Sequence, residues 1–218
     1  AGASQKAMPS LLKNLDTENK AHLASKVVEK LAENLDDERA DVRLKSVQSF
    51  KELNPVISGL SDTRIIDKTE DKYIAVEEKE KDEKVYMELA DLLETSAHRN
   101  LHFGNYNKTM QIIGVFTRHR RDENTEFAKR RDCAEVVTRR LAQSGLVNIL
   151  INDLRSGDKK KQEDAYSVIL KLEDAGVSAL AAAIQDIEDV YLRRIVAFSV
   201  RNMGEPAVRD FLSIFDKD

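Results

Sequence analysis

The chain has 218 residues, 34% of them charged and 41% hydrophobic; at about 150 residues per domain that is one domain or one elongated array, long enough to bury a continuous core. A single cysteine excludes an internal disulfide framework, and no apolar run approaches the ~18 residues of a membrane span. Thirty-five basic residues against thirty-nine acidic ones leave a formal charge of −4, with no global attraction to nucleic acid or anionic lipid, while only 8 Gly and 3 Pro argue against sandwiches and barrels and for an all-helical protein.

The N-terminus, Ala1-Gly2-Ala3-Ser4-Gln5-Lys6, has no apolar stretch of the secretory type, and the lone Cys133 fits a reducing compartment, so the expected location is the cytoplasm. The chain begins without Met, and Met8 already opens helical-looking sequence, so it reads as a piece of something longer. The first well-marked helix pair covers 27–60. Leu31 and Leu35 lie on its first helix; Val42-Arg43-x-x-Ser46-Val47-x-x-Phe50-x-x-Leu53, ended by Asn54-Pro55, makes the second.

Residues 61–84 read as a charged irregular insertion or loop. Thr63-Arg64-Ile65-Ile66 and Tyr73-Ile74-Ala75-Val76 are β-branched clusters around a polar Asp67 to Lys72 turn, which predicts a small hairpin or ordered loop. The run from Glu77 to Lys84 is either a solvated segment or a binding element. Helical spacing returns with Val85 to Leu93. His102-Phe103-Gly104-Asn105-Tyr106 signals a turn, and Met110, Ile113, Val115 and Phe116 form the next stripe.

The final ninety residues repeat at a constant offset of 31. Arg130-Arg131-x-x-Ala134, Lys161-Gln162-x-x-Ala165 and Leu192-Arg193-x-x-Val196 superpose, and Leu141, Leu172 and Met203 then coincide. After a break at Gly145, Gly176 or Gly204-Glu205-Pro206, the columns Leu146, Val177, Val208; Ile149, Leu180, Phe211; and Leu150, Ala181, Leu212 follow. Each period is a helical hairpin that cannot shield its apolar stripe alone, so stacking against neighbours is expected. The clearest repeats are 27–60, 125–157, 158–188 and 189–218, within a single domain of 1–218.

Asp41-Val42-Arg43 with Ser46, Val47, Phe50 and Leu53 behind it, and Tyr191-Leu192-Arg193 ending in Gly204-Glu205-Pro206-Ala207-Val208, resemble second helices of the HEAT-repeat (armadillo-like) family. The resemblance covers about 27 to 60 and 125 to 215. It implies a right-handed α-solenoid of stacked antiparallel helix pairs, and the family hosts scaffolds, transport receptors, some enzymes and some nucleic-acid binders. Gln162 stands where the family usually has Arg, and of the aspartates six residues before that column only Asp37, before Arg43, fits.

Catalytic anchors are missing. The chain has no phosphate-binding loop, no dinucleotide fingerprint and no nucleophile elbow. The di-iron centres of some HEAT-type enzymes use His-Glu dipeptides, whereas the histidines here are followed by Leu23, Arg99, Phe103 and Arg120. His98 and His102, with Glu94 one turn earlier, could share a helix face, but three ligands along one straight helix span about 12 Å and need a partner helix to meet one ion. Cys133 lies beside Arg130 and Arg131 with no identifiable base, and reads as a core residue. No metal, cofactor or catalytic residue is assigned.

The expected function is therefore a non-enzymatic protein-protein interaction scaffold, with a concave surface made of the exposed sides of second helices and a protein or peptide partner. By column, the contact positions are Lys45, Gln48 and Glu52; Glu163, Asp164, Ser167 and Lys171; and Arg194, Phe198, Arg201 and Asn202. Phe198, if exposed, would be the anchor. The alternative is nucleic-acid binding through the basic clusters of 118–140, namely Arg118, Arg120, Arg121, Lys129, Arg130, Arg131, Arg139 and Arg140, continued by Lys159-Lys160-Lys161 and Arg193-Arg194. Mixed signs in the aligned columns and a scarcity of aromatics for base stacking disfavour it. No membrane role is expected.

Overall fold

Val47, Phe50, Leu53 and Ile57 are buried along one side of a helix running from Ala40 to Ile57, so the three- and four-residue spacing of that stretch becomes one packed face. The computed structural model describes residues 2–18 and 20–184, together with Val190, Arg194, Ala197, Phe198 and Arg201, and every regular element among them is helical. No described helix is long and apolar enough to cross a membrane. The expected third copy, 189–218, with Leu192, Arg193, Val196, Met203 and the columns after it, otherwise lies outside the described residues.

By its internal contacts the chain divides into two units, 1–95 and 96–218, where the sequence suggests a single domain. The first contains α1 (Gly2–Thr17), α2 (Ala21–Ala32), a 3-10 turn (Glu33–Asp36), α3 (Ala40–Ile57), α4 (Thr63–Glu77) and most of α5 (Glu83–His102). Here α1 packs on α2 and α3, and α2 on α4. Lys51 of α3 reaches Glu88 and Asp91 of α5 at 2.5 and 2.8 Å. Phe50 meets the ring of Tyr73 edge-on, with centroids 5.4 Å apart.

The insertion expected at 61–84 is corrected here: 63–77 is a helix, and neither hairpin nor irregular loop forms there. Its buried residues, Ile65, Ile66, Thr69, Glu70, Tyr73, Val76 and Glu77, fall on one face at helical spacing, a period that outweighs the β preference of the individual side chains. Asp62 caps the helix by accepting from the backbone N–H of Arg64 at 3.1 Å. The following charge run is not merely solvated, since Glu77 and Glu80 are both buried. Asn54-Pro55 does not end α3 either; the helix runs on to Ile57 with Pro55 inside it.

The second unit holds the end of α5, α6 (Tyr106–Arg120), a 3-10 turn (Thr125–Phe127), α7 (Ala128–Gln143), α8 (Gly145–Leu154), α9 (Lys159–Lys171) and α10 (Glu173–Ile184). The expected turn between α5 and α6 is present. Gly104 takes φ 75°, its N–H bonds Leu101 and that of Asn105 bonds Asn100, at 3.0 and 2.7 Å, a left-handed helix ending that glycine adopts without steric cost. Helices α7 and α9 start thirty-one residues apart, and Ala134 with Ala165, Leu141 with Leu172, Leu146 with Val177 and Leu150 with Ala181 are buried at matching positions. Cys133 is buried.

The break expected at Gly176 falls earlier, at Leu172–Glu173, and Gly176 sits inside α10. A Cβ there would lie 2.6 Å from Leu172 Cβ and 2.7 Å from the Ile169 carbonyl oxygen, so glycine serves close approach to the end of α9 rather than helix termination. Helices two apart in sequence meet at α8 and α10, and helices three apart meet at α6 with α9 and α7 with α10. The latter two contacts are additional to those of a simple alternating two-layer stack.

Candidate functional site

The column Arg43, Arg131, Gln162 places a donor near the start of each of three helices, α3, α7 and α9. Arg43 Nη1 donates to the carbonyls of Asp37 and Glu38 at 2.8 and 2.9 Å. Arg131 Nη1 donates to that of Asp122 at 3.3 Å, and Gln162 Nε2 to that of Ser156 at 2.5 Å. Each side chain thus ties the loop before its helix to the helix itself, and Gln162 performs with an amide what the others do with a guanidinium. These contacts fix the entry angle of the helices that carry the candidate contact residues.

On α3, Lys45, Gln48 and Glu52 are all exposed. Lys45 and Glu52 flank a groove of about 360 Å³ whose apolar lining comes from Met8, Leu31, Val42, Phe50 and Leu53. Lys45 also lies 3.6 Å from Asp41, one turn earlier. Three helical segments contribute, because α1 and α2 close the side that α3 leaves open.

On α9, Glu163 and Ser167 are exposed. Asp164 is half-buried and receives Lys160 at 3.0 Å. Lys171 is half-buried, its Cε within 3.0 Å of where a Gly114 side chain would begin, so its aliphatic stem covers α6 instead of standing out as a contact. Phe198 is 58% exposed, as the anchor reading requires, and Arg194 and Arg201 are exposed too. Asn202 lies outside the described residues. The structure brings Glu163, Arg194 and Phe198 to one groove of about 380 Å³, together with Leu154, Lys159 and Tyr166. Tyr166 was not among the expected contact residues. Its ring lies 6.3 Å from that of Phe198, a pairing that no spacing rule along the chain reveals.

The basic clusters are largely engaged within the protein. Arg120 reaches Glu135 at 3.1 Å and Glu173 at 3.5 Å and also bonds Asp174. Burial opposes charge on Arg120, and the bond to Asp174 with the fields of Glu135 and Glu173 more than restores it. Arg121 pairs with Glu173, Arg139 with Glu135 at 2.9 Å, and Arg130 with Asp122 at 2.7 Å while stacking over Phe127. Positive charge read along 118–140 is therefore countered by carboxylates within that stretch, Asp122 and Glu135, and by Glu173 and Asp174 from α10.

The chain matches no protein-family model and no curated protein. Among solved structures it resembles an engineered protein of the Northeast Structural Genomics Consortium at 17% identity, over 85% of this chain and 84% of that one, with a TM-score of 0.38.

His98 is half-buried, and His102 is exposed with its ring 5.4 Å from that of Phe103. No group of three His, Cys, Asp or Glu suited to a metal ion occurs among the described residues. Tyr106 donates to Asp153 at 2.9 Å; burial, followed by that bond and the carboxylate charge, holds its hydroxyl well above the ordinary phenol range. Its proton is thus retained, which makes Tyr106 a tether of α6 to α8 rather than a base.

Proposed function

We propose that this chain is a non-enzymatic protein-binding scaffold built from HEAT-like helix pairs, a right-handed α-solenoid acting in the cytoplasm on a protein or peptide partner. The observation that carries this reading is the apolar groove beside Lys45 and Glu52 on α3, since an exposed apolar recess rimmed by charge suits a partner's side chains better than water. The carbonyl-tying column Arg43, Arg131, Gln162 and the matching buried positions of α7 with α9 and α8 with α10 support the repeat reading. The nucleic-acid reading is less well supported, because Arg120, Arg121, Arg130 and Arg139 are all ion-paired.

The test is affinity capture from native lysate with the intact chain and with a Lys45→Glu, Gln48→Ala, Glu52→Lys variant, followed by mass spectrometry. The scaffold reading expects a defined set of proteins that the variant loses. A captured set identical for both proteins argues against this face. Tight binding to generic DNA that weakens steeply with salt would favour the alternative.

A further inference from the structure

We infer that the groove lined by Tyr166 and Phe198 is an anchor subsite for an acidic partner segment, which seats one large apolar side chain against the paired rings. This deepens the scaffold reading and rests on it. The walls are Leu154, Tyr166 and Phe198, with Lys159, Glu163 and Arg194 at the rim. Phe198 is 58% exposed, and an aromatic ring left in water beside a second ring gains most from burial by a partner.

Charge selects the occupant. Glu163 and Asp164 are countered within α9, by Lys159 at 3.9 Å and Lys160 at 3.0 Å. Arg194 and Arg201 are exposed. Among the described rim residues two cations, Lys159 and Arg194, stand against the one carboxylate of Glu163, so the aromatic surface carries surplus positive charge, with Arg194 beside Phe198. A nucleic-acid strand fits less well, because its evenly repeated phosphates would run past Glu163, whose side chain is 68% exposed. A peptide can place its carboxylates against the arginines alone.

The probes are short fluorescein-labelled peptides with a central phenylalanine, flanked by glutamates in one and by lysines in the other, measured by fluorescence anisotropy on the intact chain. The glutamate peptide is expected to bind, more weakly as salt rises. Phe198→Ala should weaken it at least about tenfold, and Arg194→Glu with Arg201→Glu should shift preference to the lysine peptide. Because the chain has no Trp, Phe198→Trp supplies a sole indole whose emission should shift on peptide addition. An unchanged circular dichroism spectrum confirms that each variant is folded. Tighter binding of the lysine peptide or of an oligo-dT strand to the unaltered protein, unchanged affinity in Phe198→Ala, or no binding of the glutamate peptide each overturns the inference. Partner capture through α3 would survive any of these results, so the two readings fail separately.

Discussion

Arg43 grips Glu80 with two parallel bonds, Nε to Oε2 at 2.8 Å and Nη2 to Oε1 at 2.7 Å, while its third nitrogen holds the loop before α3. The carboxylate side is almost wholly buried, with 1% of the Glu80 side chain exposed against 17% of Arg43. Glu80 also accepts from the backbone N–H groups of Lys81 and Asp82 at 2.9 and 2.8 Å. One guanidinium thus joins the start of α3 to the link between α4 and α5.

Removing one partner of such a pair strands the other, which costs about 3–5 kcal/mol. Arg43→Ala should fall at the lower end, because two backbone donors remain on Glu80. Urea unfolding followed by circular dichroism checks this, and a loss below about 1 kcal/mol would show that the pair is solvated.

Gly176 and Gly145 make a contrasting pair. Alanine at 176 would press its Cβ on Leu172 and on the Ile169 carbonyl, and Gly176→Ala should destabilise by about 1–3 kcal/mol. Nothing lies within 4 Å of a Cβ at 145, so Gly145→Ala should be neutral or stabilise by about 0.4–1 kcal/mol. Equal melting temperatures for the two variants would contradict the close approach of α10 to α9.

Glu173 opens α10 with φ 56°, a left-handed backbone that costs a side-chain-bearing residue roughly 1–2 kcal/mol. Its carboxylate pairs with Arg120 and Arg121. Glu173→Ala keeps the strain and loses both ion pairs, whereas Glu173→Gly loses the ion pairs but relieves the strain. The alanine variant should therefore be less stable than the glycine variant by about 1 kcal/mol, and the reverse order would place the strain elsewhere.

Acid should weaken the fold in one direction. The side-chain bond from Arg39 holds Asp37 below its ordinary 3.8, that from Arg64 does so for Asp62, and the backbone N–H of Asn124 for Asp122. Glu29 is held below 4.5, first by Lys68. A carboxylate that is more acidic folded than unfolded contributes its full stabilisation above the unfolded pKa and loses it as pH falls through the folded value. Thermal melts should thus stay level above about pH 5 and decline below the ordinary carboxylate range. A melting temperature that rises as pH drops through that window would contradict these ion pairs.

Legibility in the sequence followed the range of the interactions. The α3 stripe and the offset linking α7 to α9 were readable because helical period is a local property of spacing. The helix over 63–77 was misread because Ile65, Ile66 and Tyr73 favour strands individually, while burial of every third or fourth residue decides between the two. Gly176 looked like punctuation, yet its role comes from the three-dimensional approach of Leu172. The basic lane over 118–140 shows Asp122 and Glu135 among its own residues, but Glu173 and Asp174, which pair with Arg121 and Arg120, lie far along the chain and could not be matched to it by spacing. On the candidate face, exposure of Lys45, Gln48 and Glu52 followed from helical register, whereas the exposure of Phe198 and the neighbouring Tyr166 ring did not.

The clasp of Arg120 on Asp174 spans fifty-four residues, and this has a consequence for synthesis. During translation α6 and α7 leave the ribosome well before the carboxylates that will cap their shared end, so for that interval Arg120 has only Glu135 available from this cluster. Release of α10 then supplies Glu173 and Asp174 together and locks the earlier pair. A nascent chain halted before residue 173 should accordingly be the most protease-sensitive form of this segment, and one extended past 184 the first resistant one.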